Sequence, residues 1–256
     1  MELSSQIKTA LADPDRKILL MTHIVLGYPS LETNRRVIEQ MVANGVDLIE
    51  MQIPFSEPMA DGPVIVKANQ EAIEQGITVR GCLDFAKEMA KAHPIPFLFM
   101  TYYNILFKFG VEEFFKKARE IGIKGFIIPD LPPEEGEEFF ALSRKYDIAP
   151  ILIFAPTSTP ERMRELSRFS RGFIYCAARK GVTGRQTDFD AGFNDYLRTC
   201  RASTDLPLAV GFGISRKEDV DYLTGKADIA VIGTRTINLV NEQGAAAVGP
   251  FIAGLR

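Results

Sequence analysis

Leu48-Ile49-Glu50-Met51-Gln52-Ile53-Pro54-Phe55-Ser56-Glu57-Pro58-Met59-Ala60-Asp61-Gly62-Pro63 is a strand-length apolar run that enters a proline-rich acidic loop, with a helix-length segment behind it (residues 64–92). The run shows no clean polar alternation, as expected of a strand covered on both faces in a parallel sheet. The same unit recurs along the chain. Apolar segments at 18–25, 96–101, 125–129, 149–154, 173–177, 207–211 and 229–233 complete a set of eight. Between them lie polar–apolar stretches of helical length at 32–44, 111–121, 133–146, 160–169, 190–202, 216–224 and 234–255. Thr159-Pro160-Glu161 and Pro132-Pro133 followed by Glu134-Glu135 place proline and acids in first turns, and Gly45, Gly122 and Gly172 suit left-handed ends.

Eight strands each followed by a helix predict an α/β protein, a single (β/α)8 TIM barrel spanning residues 1–256. An open doubly wound sheet is the competing architecture. It often shows a G-x-G-x-x-G turn after its first strand, whereas here Gly27-Tyr28-Pro29-Ser30 follows. Length alone is compatible with one or two domains, but no compositional break or linker divides the chain.

Composition narrows the function. Lys+Arg 30 against Asp+Glu 33 gives a formal charge of −3, which argues against a nucleic-acid or anionic-membrane partner. No apolar run approaches the ~20 residues of a spanning helix, and residues 1–17 are polar, without a signal-peptide core. Three cysteines without a C-x-x-C spacing fit a reduced, cytoplasmic chain. Two histidines, His23 and His93, are too few and too far apart for an ordinary zinc site.

A barrel carries its site at the C-terminal strand ends. Glu50 lies within an apolar strand and, by period-2 alternation, shares a face with Leu48 and Gln52. A buried carboxylate needs a partner or a task, so Glu50 is either ion-paired inside the barrel or functional. Asp61 follows in the loop, where a turn role competes with chemistry. Together they suit general acid/base work. Gly181-Val182-Thr183-Gly184, Gly211-Phe212-Gly213-Ile214-Ser215 and Gly233-Thr234 cluster glycines on the last three loops, a pattern that suits phosphate. A P-loop is absent. Tyr175 and Cys176 read first as strand packing, and Glu134, Glu135, Glu137 and Glu138 as a solvated helix start.

From residue 18 to residue 240 the chain resembles the α subunit of tryptophan synthase. The resemblance rests on Ile53-Pro54-Phe55-Ser56-x-Pro-x-Ala60-Asp61-Gly62-Pro63, Ile128-Pro129-Asp130-Leu131-Pro132 and the two glycine-rich segments at 181–184 and 211–215. It implies a cofactor-free lyase that cleaves indole-3-glycerol phosphate to indole and glyceraldehyde 3-phosphate, partnered in an α2β2-type complex by a pyridoxal-phosphate β subunit. It also implies roles: Glu50 as general acid/base and Asp61 facing the indole N–H. Met100, Ile127, Ile153, Tyr175 and Phe212 would line the indole pocket, with Thr183 on a lid. Gly184, Gly213, Gly233 and Thr234 would cradle the phosphate.

The chain departs from the family's usual residues at His23, Gln52, Glu57, Val64 and Arg235. His23 is expected to approach the cavity from the first strand. Gln52 is expected to hydrogen-bond Glu50 or to narrow the space beside it. Alternatives are a stand-alone lyase on this or a related phosphorylated substrate, a weakly catalytic activator subunit, and a sugar-phosphate isomerase.

Overall fold

The computed structural model describes residues 2–14, 16–177, 191–211 and 213–256. Nine parallel strands form one sheet: β1 (Leu19–Val25), β2 (Leu48–Gln52), β3 (Phe97–Met100), β4 (Gly125–Ile127), β5 (Ala149–Ile151), β6 (Ile153–Phe154), β7 (Ile174–Ala177), β8 (Leu208–Gly211) and β9 (Ile229–Ile232). Their hydrogen-bonded order is β5-β4-β3-β2-β1-β9-β8-β7-β6. The two outer members, β5 and β6, are one chain segment interrupted at Leu152, so the sheet closes on itself as a barrel of eight staves. At the interruption the Leu152 N–H turns to the Ser170 hydroxyl (3.2 Å), while its carbonyl accepts from Tyr175 N (3.0 Å). The expected fifth strand is therefore present, but split.

Alternation sorts the barrel residues into two populations. Leu19, Met21, Leu48, Leu98, Met100, Ile127, Ile151, Phe173, Ala209, Ile229 and Val231 pack inside the barrel. Leu20, Ile49, Met51, Phe97, Phe99, Phe126 and Ile232 belong instead to the larger core between strands and helices. The interior is filled by side chains, as in other barrels of this size.

The helices begin where the sequence places caps. Ser30, Thr78 and Thr159 each accept a backbone N–H from the first turn of the helix that follows, and Gly122 ends the helix Val111–Ile121 at φ 98°. Three of the expected helical stretches are divided, each at a glycine. The 64–92 stretch forms two helices, Pro63–Glu74 and Val79–Ala92, because Gly76 takes φ 85° and Thr78 starts a new helix. The 234–255 stretch breaks after Gln243 at Gly244 (φ 80°), and the 133–146 stretch is a 3-10 turn and a helix divided at Gly136. Tyr103–Phe109 forms a helix in what reads as a loop. The N-terminal segment, read only as polar, forms the helix Leu3–Leu11. Its Leu3 and Ile7, one turn apart, join the interior cluster from the N-terminal end of the barrel.

Candidate active site

At the C-terminal mouth the interior turns polar. β1 and β2 pair in a register that sets His23 opposite Glu50, and β2 and β3 pair so that Glu50 meets Leu98 and Gln52 meets Met100. His23, Glu50, Gln52 and Asp61 are all at most 7% exposed, so four polar side chains are buried together at one end of an apolar barrel interior. His23 Nδ1 lies 3.1 Å from Glu50 Oε1. Gln52 Nε2 donates to Asp61 Oδ2 at 2.7 Å, and the Tyr102 hydroxyl donates to the same oxygen at 3.0 Å. The two carboxyl groups thus have separate partners. This corrects one expectation: the Gln52 amide serves Asp61, not Glu50. It also joins the two readings of Glu50, which has a ring partner and still sits at the mouth.

The loop carrying Asp61 is held at both ends. Asn69, buried in the following helix, accepts from Phe55 N at 2.9 Å and donates to Ile65 O at 2.8 Å. Tyr102 accepts from Ala60 N at 3.0 Å, and its ring stacks on Phe55 with centroids 5.0 Å apart. Tyr102 is the member of this site that sequence reasoning missed. Its signal was position, since it follows β3 at the barrel mouth.

Burial pushes the Asp61 carboxyl above its ordinary value. Charge attraction to His23 and the bonds from Gln52 and Tyr102 oppose this but do not reverse it. Burial alone would lower the His23 imidazole. The Glu50 carboxylate and its hydrogen bond, with smaller help from Asp61 and Gln52, raise it overall. Tyr175 is driven well above its ordinary value by burial and then by Glu50 and Asp61, so its hydroxyl keeps its proton.

Met100 and Ile127 lie in the interior cluster, with Ile153 and Tyr175 packed against it, so these four expected lining residues converge. Gly211 is needed for this arrangement, because a Cβ there would lie 2.2 Å from the Tyr175 hydroxyl oxygen. Gly233 follows β9 and caps the ten-residue helix Thr234–Gln243, whose N-terminus therefore opens on the mouth; Gly213 adopts φ 41° on the neighbouring loop. Thr183, Gly184 and Phe212 lie outside the described residues. Arg235 points elsewhere: its guanidinium meets Glu242 at 3.6 Å and lies over the Phe251 ring at 5.9 Å. Glu57 is exposed on the loop, and Val64 packs in a satellite cluster. Among the described residues no cluster of His, Cys, Asp and Glu could hold a metal ion.

A closed parallel barrel with two separately partnered carboxyl groups buried at its mouth has the architecture of a (β/α)8-barrel enzyme. Comparison with known proteins makes this specific. The sequence model for "Tryptophan synthase alpha chain" matches residues 10–249, and the chain belongs to the tryptophan synthase alpha chain family. It is 66% identical over 242 residues to the tryptophan synthase alpha chain of Desulfotalea psychrophila, covering 94% of this chain and 95% of that one. The Syntrophotalea carbinolica protein of the same name is 56% identical, covering 99% and 100%. Among solved structures, Mycobacterium tuberculosis tryptophan synthase superposes with a TM-score of 0.91 at 28% identity, covering 99% of this chain and 96% of that one. Tryptophan synthase subunit alpha from Legionella pneumophila gives 0.89 at 28%, covering 100% and 97%.

Proposed function

We propose that this chain, acting as one domain, cleaves indole-3-glycerol phosphate to indole and glyceraldehyde 3-phosphate, with Glu50 moving the protons and Asp61 steadying the ring. The observation that carries the reading is the pair of buried carboxyl groups with distinct hydrogen-bond partners at one strand end. Cleaving the bond between the indole ring and its side chain needs a proton on ring carbon C3, which places positive charge on the ring nitrogen. A carboxylate beside the N–H stabilises that charge. Both donors to Asp61 fall on Oδ2, and Oδ1 takes neither. Glu50 in its acid form protonates C3. The resulting carboxylate then takes the hydroxyl proton as the aldehyde forms and the bond electrons return to the ring. One proton is given and one recovered.

Met100, Ile127, Ile153 and Tyr175 supply the apolar wall for the ring, a role in which Phe212 would join, while the family resemblance gives Thr183 a place on a lid. Gly213, Gly233 and Thr234 supply backbone donors and a helix end suited to the phosphate, a role that the family resemblance extends to Gly184. No step runs through a cofactor in this chain. The reading includes a cytoplasmic setting, which the three unpaired, buried cysteines suit. It also includes a pyridoxal-phosphate β subunit that consumes the indole. A relative from Pyrococcus furiosus, TM-score 0.85 at 26% identity, is described as a tryptophan synthase complex. Met59 (76% exposed) and Phe107 (65%) lie on adjacent segments after β2 and β3 and offer such a partner apolar surface.

Indole release from indole-3-glycerol phosphate, assayed with and without a β subunit, tests this. Glu50→Gln and Asp61→Asn are each expected to lose on the order of 10²–10⁴-fold in kcat while remaining folded. Wild-type turnover in either folded variant would overturn the assignment.

A further inference from the structure

Three buried polar atoms at the mouth find no partner among the described residues: His23 Nε2, Glu50 Oε2 and Gln52 Oε1. Burying such atoms unsatisfied costs roughly 1–3 kcal/mol each, so their grouping at one end of the barrel marks a place built to receive something polar. Glu50 Oε2 and Gln52 Oε1 are accounted for by a substrate and by the amide that steadies Asp61. His23 is not. An aliphatic side chain would fill the same space in a barrel interior without that penalty.

We propose that His23 is a positioning residue for Glu50: it fixes the carboxyl through Nδ1 and shares with it the proton that the cleavage uses and returns. This rests on the reading that Glu50 moves the protons. The geometry supports it in three ways. The register of β1 and β2 places the two residues side by side on the inward face. The Nδ1 to Oε1 distance of 3.1 Å allows a proton to pass along the bond. That bond also occupies one carboxyl oxygen and leaves Oε2 for the substrate.

The pair holding one proton exists either as imidazolium beside carboxylate or as neutral imidazole beside carboxylic acid. In the first arrangement the Nδ1–H proton is stored on the ring. Its transfer to Oε1 leaves a neutral imidazole and turns Glu50 into an acid; with the ion pair gone, the carboxyl turns about its Cγ–Cδ bond and presents that proton to C3. When the Glu50 carboxylate later accepts the hydroxyl proton, the pair returns to its starting charge. The groups facing the ring are acidic: Glu50 from β2 and Asp61 from the loop after it, with the neutral Gln52 between them. On its other side lies Gly233, just after β9, where an added Cβ would come 3.7 Å from the His23 Cβ and nothing titrates. Everything ionisable around the ring therefore favours its protonated form.

Because the chain has two histidines, His23 can be followed by imidazole NMR once its signal is assigned with a His23→Phe variant. Its titration midpoint is expected above about 6.5, and to fall by at least about one pH unit in Glu50→Gln. In the full chain with its β subunit, kcat/KM should decline on the alkaline side with the same midpoint. His23→Gln and His23→Phe should lose that limb and about 10- to 100-fold of kcat, the range seen when a partner that orients a functional side chain is removed. Folded His23 variants with the alkaline limb unmoved would overturn the proposal, as would a His23 midpoint that ignores Glu50→Gln. A fully active Glu50→Gln would instead overturn the role of Glu50 itself, so the two failures are distinguishable.

Discussion

At the scale of single residues, the proposed role of Asp61 makes its partners the setting for the enzyme's pH range. Stabilising a positive ring nitrogen needs the carboxylate, and burial works against that form. Gln52 and Tyr102 donate to it and work in its favour. Removing either donor should raise the Asp61 pKa further, so the acidic limb of kcat/KM should move to higher pH in Gln52→Gly and in Tyr102→Phe. A pH–rate series decides this. A Gln52→Gly enzyme with an unmoved acidic limb and a higher kcat would show that the glutamine acts by crowding the ring.

The same burial has a sign for stability. A carboxyl whose folded pKa lies above its unfolded value contributes stability at low pH, and that contribution is lost as pH rises through the folded pKa. At neutral pH Asp61 is thus a cost. Asp61→Asn should keep or raise Tm there while losing activity, and a clear fall in Tm would contradict the burial argument. Strand alternation made it legible that Glu50 and Gln52 share a face. The His23–Glu50 and Gln52–Asp61 bonds were not legible, because they depend on strand register and loop path, which no single segment encodes.

At the scale of elements, the sequence is most readable where a segment's fate is settled locally. The apolar runs became strands because both their faces are covered, and Ser30, Thr78 and Thr159 start helices by their own hydroxyls. The helix Leu3–Leu11 escaped notice because only Leu3 and Ile7 are buried, too few to show a period in a polar segment. The break in the fifth strand was equally hidden, since it depends on Ser170, sixteen or more residues away. That hydroxyl accepts from Leu152 N and lies 3.1 Å from the carbonyl oxygens of both Pro150 and Phe173, to which it can donate. Ser170→Ala leaves the Leu152 N–H buried at the seam without this partner. The expected cost is about 1–3 kcal/mol in urea denaturation, and a loss below a few tenths would mean that the seam is held by the strands alone.

At the scale of the whole molecule, stability and chemistry occupy opposite ends of the barrel. Below, the N-terminal helix closes the interior, and buried Asp47 accepts from Leu20 N at 2.8 Å while Arg16 and Arg256 pair with it. Above, the polar residues leave atoms unsatisfied. Leu3→Ala and Ile7→Ala should each cost about 2–5 kcal/mol of unfolding free energy with kcat/KM of the folded enzyme unchanged. A matching loss of activity would show that the closed end shapes the mouth. The ring of Tyr175, seated over Gly211 at that mouth, carries a further consequence, because the 256-residue chain contains no tryptophan. Tyrosine is then the dominant intrinsic fluorophore, and an indole ring bound as proposed, against Tyr175, would be an acceptor for its excitation. Occupancy of the site becomes visible as light: tyrosine emission dims as the ring arrives, a longer-wavelength indole band rises in its place, and both reverse as the ring departs.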